Sequence, residues 1–395
     1  MAQIGGEDST LLCFAYNILT NLSTNSIDDM LAGESIEEDV EGTWQDVLGD
    51  RMEEIIDRKR SSEQGREKAL AAYNYLLMAH YAYEEVENKL SELVPALLKS
   101  VKSDSSEKEA SLALRAIALT LITAPSDSLY EMLEQTLKRI YTVSEHNTVK
   151  AAAIYTLAAA ATYGGAGDSE CEAIMDGFIE IIESDGNSIE AEDSGEVVTA
   201  AAEAWGFLAT YAEDISESTE IAMEAFVEQL ESSDPSVQIA VGENIALCYE
   251  KSYTPIESDE DGYANGKDAY VKRYEVYRQQ DQLEHRLSEI SKESARHIAK
   301  KDRKSLHQAF ADILHGVEKP TLGPRYSEAI DQETNKPYGS RLKIRIHKSG
   351  SVTIDKWWKL HRLQGLRRIL GGGFVRHYMD NEVVFETLPI MIEGH

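Results

Sequence analysis

Between Thr43 and Tyr253 apolar positions recur every three or four residues, in blocks separated by polar or small-residue breaks, which is the signature of amphipathic helices. The blocks predict helix pairs: Trp44–Arg60 with Arg66–Glu84, Val86–Ser103 with Glu107–Ala124, and Ser128–Glu145 with Thr148–Tyr163. Two more pairs follow, Glu170–Ser184 with Glu196–Glu213 and Glu217–Ser232 with Ser236–Lys251. The second helix of each pair opens on small residues, at Ala69, Ala110, Ala151, Ala201 and Ala240, with offsets of 41, 41, 50 and 39 residues. That is the period of HEAT or armadillo units, and the acidic loop Asp185–Gly195 accounts for the long interval. Inner helices of stacked pairs are squeezed from both sides, so small residues there set the close approach. The pattern predicts an α-solenoid over residues 43–253.

Outside that span the pattern changes. Residues 1–42 hold one amphipathic helix (Leu11, Leu12, Phe14, Ala15, Ile18, Leu19, Leu22) and an acidic run from Glu34 to Glu41, and the abrupt start suggests a longer polar tail before it. Residues 254–291 read as an exposed acidic loop, Thr254–Asp268, leading to a long polar helix from Ala269 to about Ile290. A helix over Ser294–Val317 places Ala295, Ile298, Leu306, Ala309, Ile313 and Val317 on one side, with Asp302 the polar exception. Beyond Pro320 the period becomes two. Leu342, Ile344 and Ile346 alternate with Arg341, Lys343, Arg345 and His347, Lys348-Ser349-Gly350 supplies a turn, and Val352 and Ile354 begin a return strand. Asp355 is placed to cap a helix from Lys356 to Leu370, which stops at Gly371-Gly372-Gly373, and Phe374 to Phe385 forms a last short element. The expected architecture is mainly α, a HEAT/armadillo-like α-solenoid followed by a small basic α+β C-terminal module over 292–395.

Charge sharpens the division. The net charge of -31 splits into -38 over residues 1–285 and +7 from Arg286 onward, and between Arg341 and Arg376 ten Lys/Arg face a single acid, Asp355. Cys13, Cys171 and Cys248 are far apart and lack any CxxC partner, which fits core residues of a reduced, intracellular protein rather than disulfides or zinc ligands. No apolar run approaches the roughly 18 residues of a membrane span, and no leader opens the chain.

The chemistry worth weighing is cationic. Arg296, Lys300, Lys301, Arg303 and Lys304 form a basic stripe on the Ser294–Val317 helix, suited to a phosphate backbone or, alternatively, to docking on the acidic repeats next door. Arg341, Lys343 and Arg345, with Lys348 at the turn, make a strand face with no acid in it. Lys356, Lys359, Arg362, Arg367, Arg368 and Arg376 follow, the last three the better placed for phosphates. Trp357 and Trp358 could stack on an unpaired base, but core packing with Leu360, Leu363 and Leu370 is the stronger reading for at least one of them. Apolar and polar residues segregate poorly on that helix, so Lys359 and Arg362 would have to snorkel. The triple glycine lacks the context of a phosphate loop and reads as a helix stop that also lets the backbone approach a partner. Ser258, followed by three acids, is a plausible phosphorylation site. No metal spacing, no cofactor motif and no nucleophile–base arrangement stands out.

Two blocks, AKKDRKSLHQAFADIL and VTIDKWWKLHRLQGLRRILGGGFVRHYMDNEVVFETLP, resemble the C-terminal signature of the interferon-related developmental regulators, and the helical repeats are similar to that family's armadillo-type N-terminal region. The departure lies in Glu318–Ser351, longer than the family's usual connector. The resemblance implies a non-enzymatic protein with no cofactor, and two roles. One is binding to translationally inactive ribosomes in place of tRNA, with ribosomal RNA, ribosomal proteins and tRNA as partners. The other is transcriptional co-regulation, with transcription-complex proteins held in the solenoid groove. The first implies a cytoplasmic protein, the second a nuclear one, and neither involves a membrane.

Overall fold

A computed structural model describes residues 43–58, 61–102, 106–256, 270–292, 300–324, 342–347 and 350–389. The protein is mainly helical. The helices in chain order are α1 (Trp44–Ile56), α2 (Glu63–Ala79), α3 (Tyr83–Glu87), α4 (Leu90–Lys102), α5 (Glu107–Thr123), α6 (Leu129–Val143), α7 (Asn147–Tyr163), α8 (Asp168–Glu183), α9 (Gly195–Ala209), α10 (Ser216–Gln229) and α11 (Pro235–Lys251). After β1 (Tyr253–Pro255) and β2 (Tyr270–Lys272) come α12 (Gln280–Lys292), α13 (Lys300–Glu318), β3 (Leu342–His347), β4 (Gly350–Ile354), α14 (Trp357–Leu370), α15 (Phe374–Asp380) and α16 (Glu382–Thr387).

The helices up to α11 form a helical-repeat architecture. α2, α5, α7, α9 and α11 stack one on the next as an inner row, each paired with an outer partner, α1, α4, α6, α8 or α10, and α13 continues the inner row against α11. The predicted alanines lie in this squeezed row: Ala69, Ala110, Ala151, Ala201 and Ala240 are all buried. Local sequence sets the helix starts. Thr43 and Asp46 form a reciprocal capping box, Ser62 and Ser106 accept the Gly65 and Glu109 amides, and Asp234 accepts the Ser236 amide beside Pro235. Glu109, fully buried, ties the first two repeats together by accepting from both Arg58 and Arg66. The acidic loop after α8 is tied down rather than simply solvated, because Ile189 and Ala191 are buried and the Lys150 ammonium donates to the Ile189 carbonyl.

Two sequence expectations change here. Residues 269–290 are not one long helix. Tyr270–Lys272 pairs antiparallel with Tyr253–Pro255, and the helix begins only at Gln280. The strand is exposed at Tyr270 and Lys272 and half-buried at Val271, and the irregular stretch after it brings Val276 into the core. Nor is the C-terminal region a separate module, since its buried residues join the repeats in one continuous core. The expected β3–β4 hairpin forms, with Leu342 opposite Ile354 and Ile344 opposite Val352, all four buried. β4 packs on α14 and β3 on α15. The amphipathic helix at Leu11–Leu22, the acidic run to Glu41, Cys13, Ser258 and most of the 254–268 loop lie outside the described residues.

Candidate nucleic-acid interface

The segment 356–389 runs back along the repeats and crosses the C-terminal ends of the inner helices. A helix end carries carbonyls without intrahelical partners and a partial negative charge, so it favours donors and cations. The segment supplies both. The Arg362 guanidinium donates to the Thr210 carbonyl and hydroxyl at the end of α9 (2.9 Å each) and to the Thr387 carbonyl (3.1 Å). His377 meets the Leu77 carbonyl near the end of α2 at 2.6 Å. Asn381 donates to the Ile122 carbonyl near the end of α5 at 2.9 Å. Leu363, Leu366 and Leu370 are completely buried beneath them. Close approach is built in by glycine: a Cβ on Gly206 of α9 would run into Asn244 and His361, and one on Gly373 would fall on the Met78 carbonyl. The triple glycine does stop a helix and admit a backbone partner, and that partner is α2.

Electrostatics follow the same division. Residues 151–250 contain 22 Asp/Glu and no Lys, Arg or His. Three of those acids, on the inner helices α9 and α11, receive α14. Glu203 pairs with Arg368, whose guanidinium lies 3.9 Å from the Tyr155 ring centroid. Glu243 accepts from Gln364 at 2.9 Å. Glu250 accepts the Trp357 amide at 2.9 Å and the Trp358 amide at 3.1 Å. Burial works against the charge on Arg368, but Glu203, Tyr155 and Glu243 more than offset it and its pKa is raised. Burial pushes the Glu250 carboxyl up to about 7, against the pull of the two amides and Lys356. Burial likewise lowers His361 to about 4, with the Glu243 backbone acting the other way.

A family model for the interferon-related developmental regulators matches residues 17–318. This chain belongs to that family. An uncharacterized protein of Schizosaccharomyces pombe is 30% identical over 350 residues, covering 87% of this chain and 74% of its own length. Interferon-related developmental regulator 1 of Mus musculus is 23% identical over 373 residues, 90% of this chain and 75% of the mouse protein. The human protein of the same name is 25% identical over 197 residues, 48% of this chain and 36% of its own length. The span matched by the family model ends with α13, and the match to the mouse protein, at 90% of this chain, extends past it.

The cations singled out in this family member therefore divide. Lys359 is buried and pairs with Asp355 at 2.6 Å, which leaves Asp355 accepting from the third residue of α14 while Glu250 takes the first two amides. Arg362 is held between the Tyr211 and Trp358 rings, 4.0 and 4.9 Å from their centroids. Lys356 donates to the Thr321 carbonyl at 3.0 Å and lies over the Tyr270 ring. Trp357 is buried and Trp358 half-buried, with Lys359 and Arg362 over its ring. Arg367 is half-buried beside the Phe374 ring, and Arg376 is exposed and paired with Asp380 at 2.6 Å. The charge of this helix, expected at a free surface, is thus largely engaged within the chain. Lys300, Lys301, Arg303 and Lys304 occupy the first turns of α13, and Lys343 and Arg345 lie on β3. Farther along α13, Leu306, Phe310, Ile313 and Val317 are buried. Arg296, Arg341 and Lys348 lie outside the described residues.

The docking acids Glu203, Glu243 and Glu250 were not singled out from sequence, nor was Asn381. The usable signal was the poor segregation of the Lys356–Leu370 helix. A helix apolar on more than one side is buried on more than one side.

Proposed function

We propose that this protein is a non-catalytic translation regulator. It binds translationally inactive ribosomes and closes tRNA or mRNA space with the basic positions of α13 and the β3–β4 hairpin. The observation that supports the choice is the occupied inner row. A scaffold for transcription-complex proteins would need that row as its peptide groove, and α14–α16 already lie across its C-terminal ends. The basic positions at Lys300, Lys301, Arg303, Lys304, Lys343 and Arg345 sit on other elements. A HEAT/armadillo-like solenoid of strongly acidic character repels bare RNA, so its part in this reading is to meet basic ribosomal proteins or to stay in solvent. The mechanism is steric and uses no cofactor. Cytoplasmic residence goes with this reading and nuclear residence with the scaffold.

The test is sedimentation of the full chain with vacant and with translating ribosomes over a salt series. Wild type should travel with vacant ribosomes and be released as salt rises, because cation–phosphate contacts release counterions. A variant carrying Lys300→Glu, Lys301→Glu, Arg303→Glu and Lys304→Glu should stay at the top of the gradient. Wild type that fails to sediment at low salt would overturn the reading.

A further inference from the structure

The junction between the hairpin and α14 is held from the far side of the molecule. Lys356 stands at the N-cap of α14 and makes no side-chain capping bond. The helix's first two amides are taken instead by Glu250, 107 and 108 residues earlier, from the last turn of α11. The Glu250 side chain is buried, so the bonds it makes there exclude water as a substitute. β4 ends at Ile354, three residues before the amide of Trp357. α13 reaches the same point, since a Cβ on Gly316 would collide with the Trp357 indole. The two elements that carry the basic positions, α13 and the hairpin, therefore converge where this carboxyl binds.

We propose that Glu250 is a positioning residue: by capping α14 from the last repeat it fixes the junction from which the basic hairpin springs and against which α13 rests. Its place as a determinant of binding rests on the ribosome reading above; its place as a latch does not. The charged groups facing it are Lys356 and Asp355 from the β4–α14 junction and Lys251 beside it on α11, while α13 meets the junction through the uncharged Gly316. Because the latched carboxyl holds its proton to about 7 whereas a free one releases it near 4.5, latching is linked to proton uptake and tightens as pH falls.

Hydrogen exchange on the full chain tests this, with Glu250→Ala and Glu250→Gln as the variants. The amides of 342–360 should exchange about tenfold faster in Glu250→Ala, while α2, α5 and α7 keep wild-type protection. Glu250→Gln keeps an acceptor oxygen without the charge. Its amide nitrogen faces one of the two amides, so it should show protection between those of wild type and Glu250→Ala at about pH 7.5, and lose the gain that wild type shows, after correction for intrinsic rates, on going to about pH 5.5. Unchanged exchange at 342–360 in Glu250→Ala, an equal rise over all inner helices, or identical behaviour of the two variants would each overturn the latch. Ribosome sedimentation separates the two ideas. Loosened exchange with no binding by wild type leaves the latch standing without the ribosome. Binding by wild type with unaltered exchange in Glu250→Ala removes the latch alone.

Discussion

The acids of residues 151–250 come from one cation-free stretch, yet the inner and outer helices use them in opposite ways. On the inner side, Glu203, Glu243 and Glu250 are half-buried or buried, and each holds a group of α14. On the outer side, Asp176 and Glu180 of α8 and Glu224 and Glu228 of α10 are exposed and have no ion pair among the described residues. Composition treats these carboxylates alike. Position decides whether one is a docking group, at low dielectric and with fixed partners, or a solvated charge that salt screens.

The sharpest break of that contrast is Arg368→Ala, which leaves Glu203 without its cation on the inner face. It should cost about 2 kcal/mol in chemical unfolding, because the pair is half-buried and stands between a surface pair and a fully buried one. A loss below about 1 kcal/mol would put Arg368 in the class of surface pairs. The intermediate effect is on pH dependence. The folded pKa of Glu250, about 7, lies above its ordinary 4.5, so its contribution is full below pH 4.5 and lost as pH rises toward 7. His361, at about 4, lies below its ordinary 6.5, so its contribution is full above pH 6.5 and lost as pH falls toward 4. Between those limits the two slopes oppose. Glu250→Gln removes the falling one, so the melting temperature of the variant relative to wild type should climb from about pH 4.5 to 7. A constant offset across that window would show that the carboxyl does not titrate as described. The smallest effect belongs outside: Glu224→Gln should change stability by no more than about 0.5 kcal/mol. A larger loss would mean that the outer acids have partners of their own.

Much of the fold was legible in the chain. The helix pairs from Trp44 to Lys251 fall within a few residues of their expected bounds, because each helix carries its own period and caps such as Ser106 and Asp234. The hairpin was legible too, since a period of two sets Leu342 and Ile344 on one face of the strand. Residues 269–290 were less legible, because the strand Tyr270–Lys272 is too short to carry a period of its own and is set by its pairing with Tyr253–Pro255. The candidate site was least legible. Arg362 and Arg368 look alike in sequence to cations that meet a ligand, and what distinguishes them is a carbonyl at Thr210 and a carboxylate at Glu203, each more than 150 residues away.

By itself the sequence determined what is local: helix and strand periods, caps, the alanine row, and the separation of acid from base along the chain. Those depend on residues within a few positions of one another. Only the tertiary structure decided that the basic C-terminal segment lies on the repeats, that a glutamate of α11 caps α14, and which acids are docking groups. Those outcomes depend on free helix-end carbonyls and buried carboxyls meeting donors from the far end of the chain, and spacing along the sequence carries no record of such meetings.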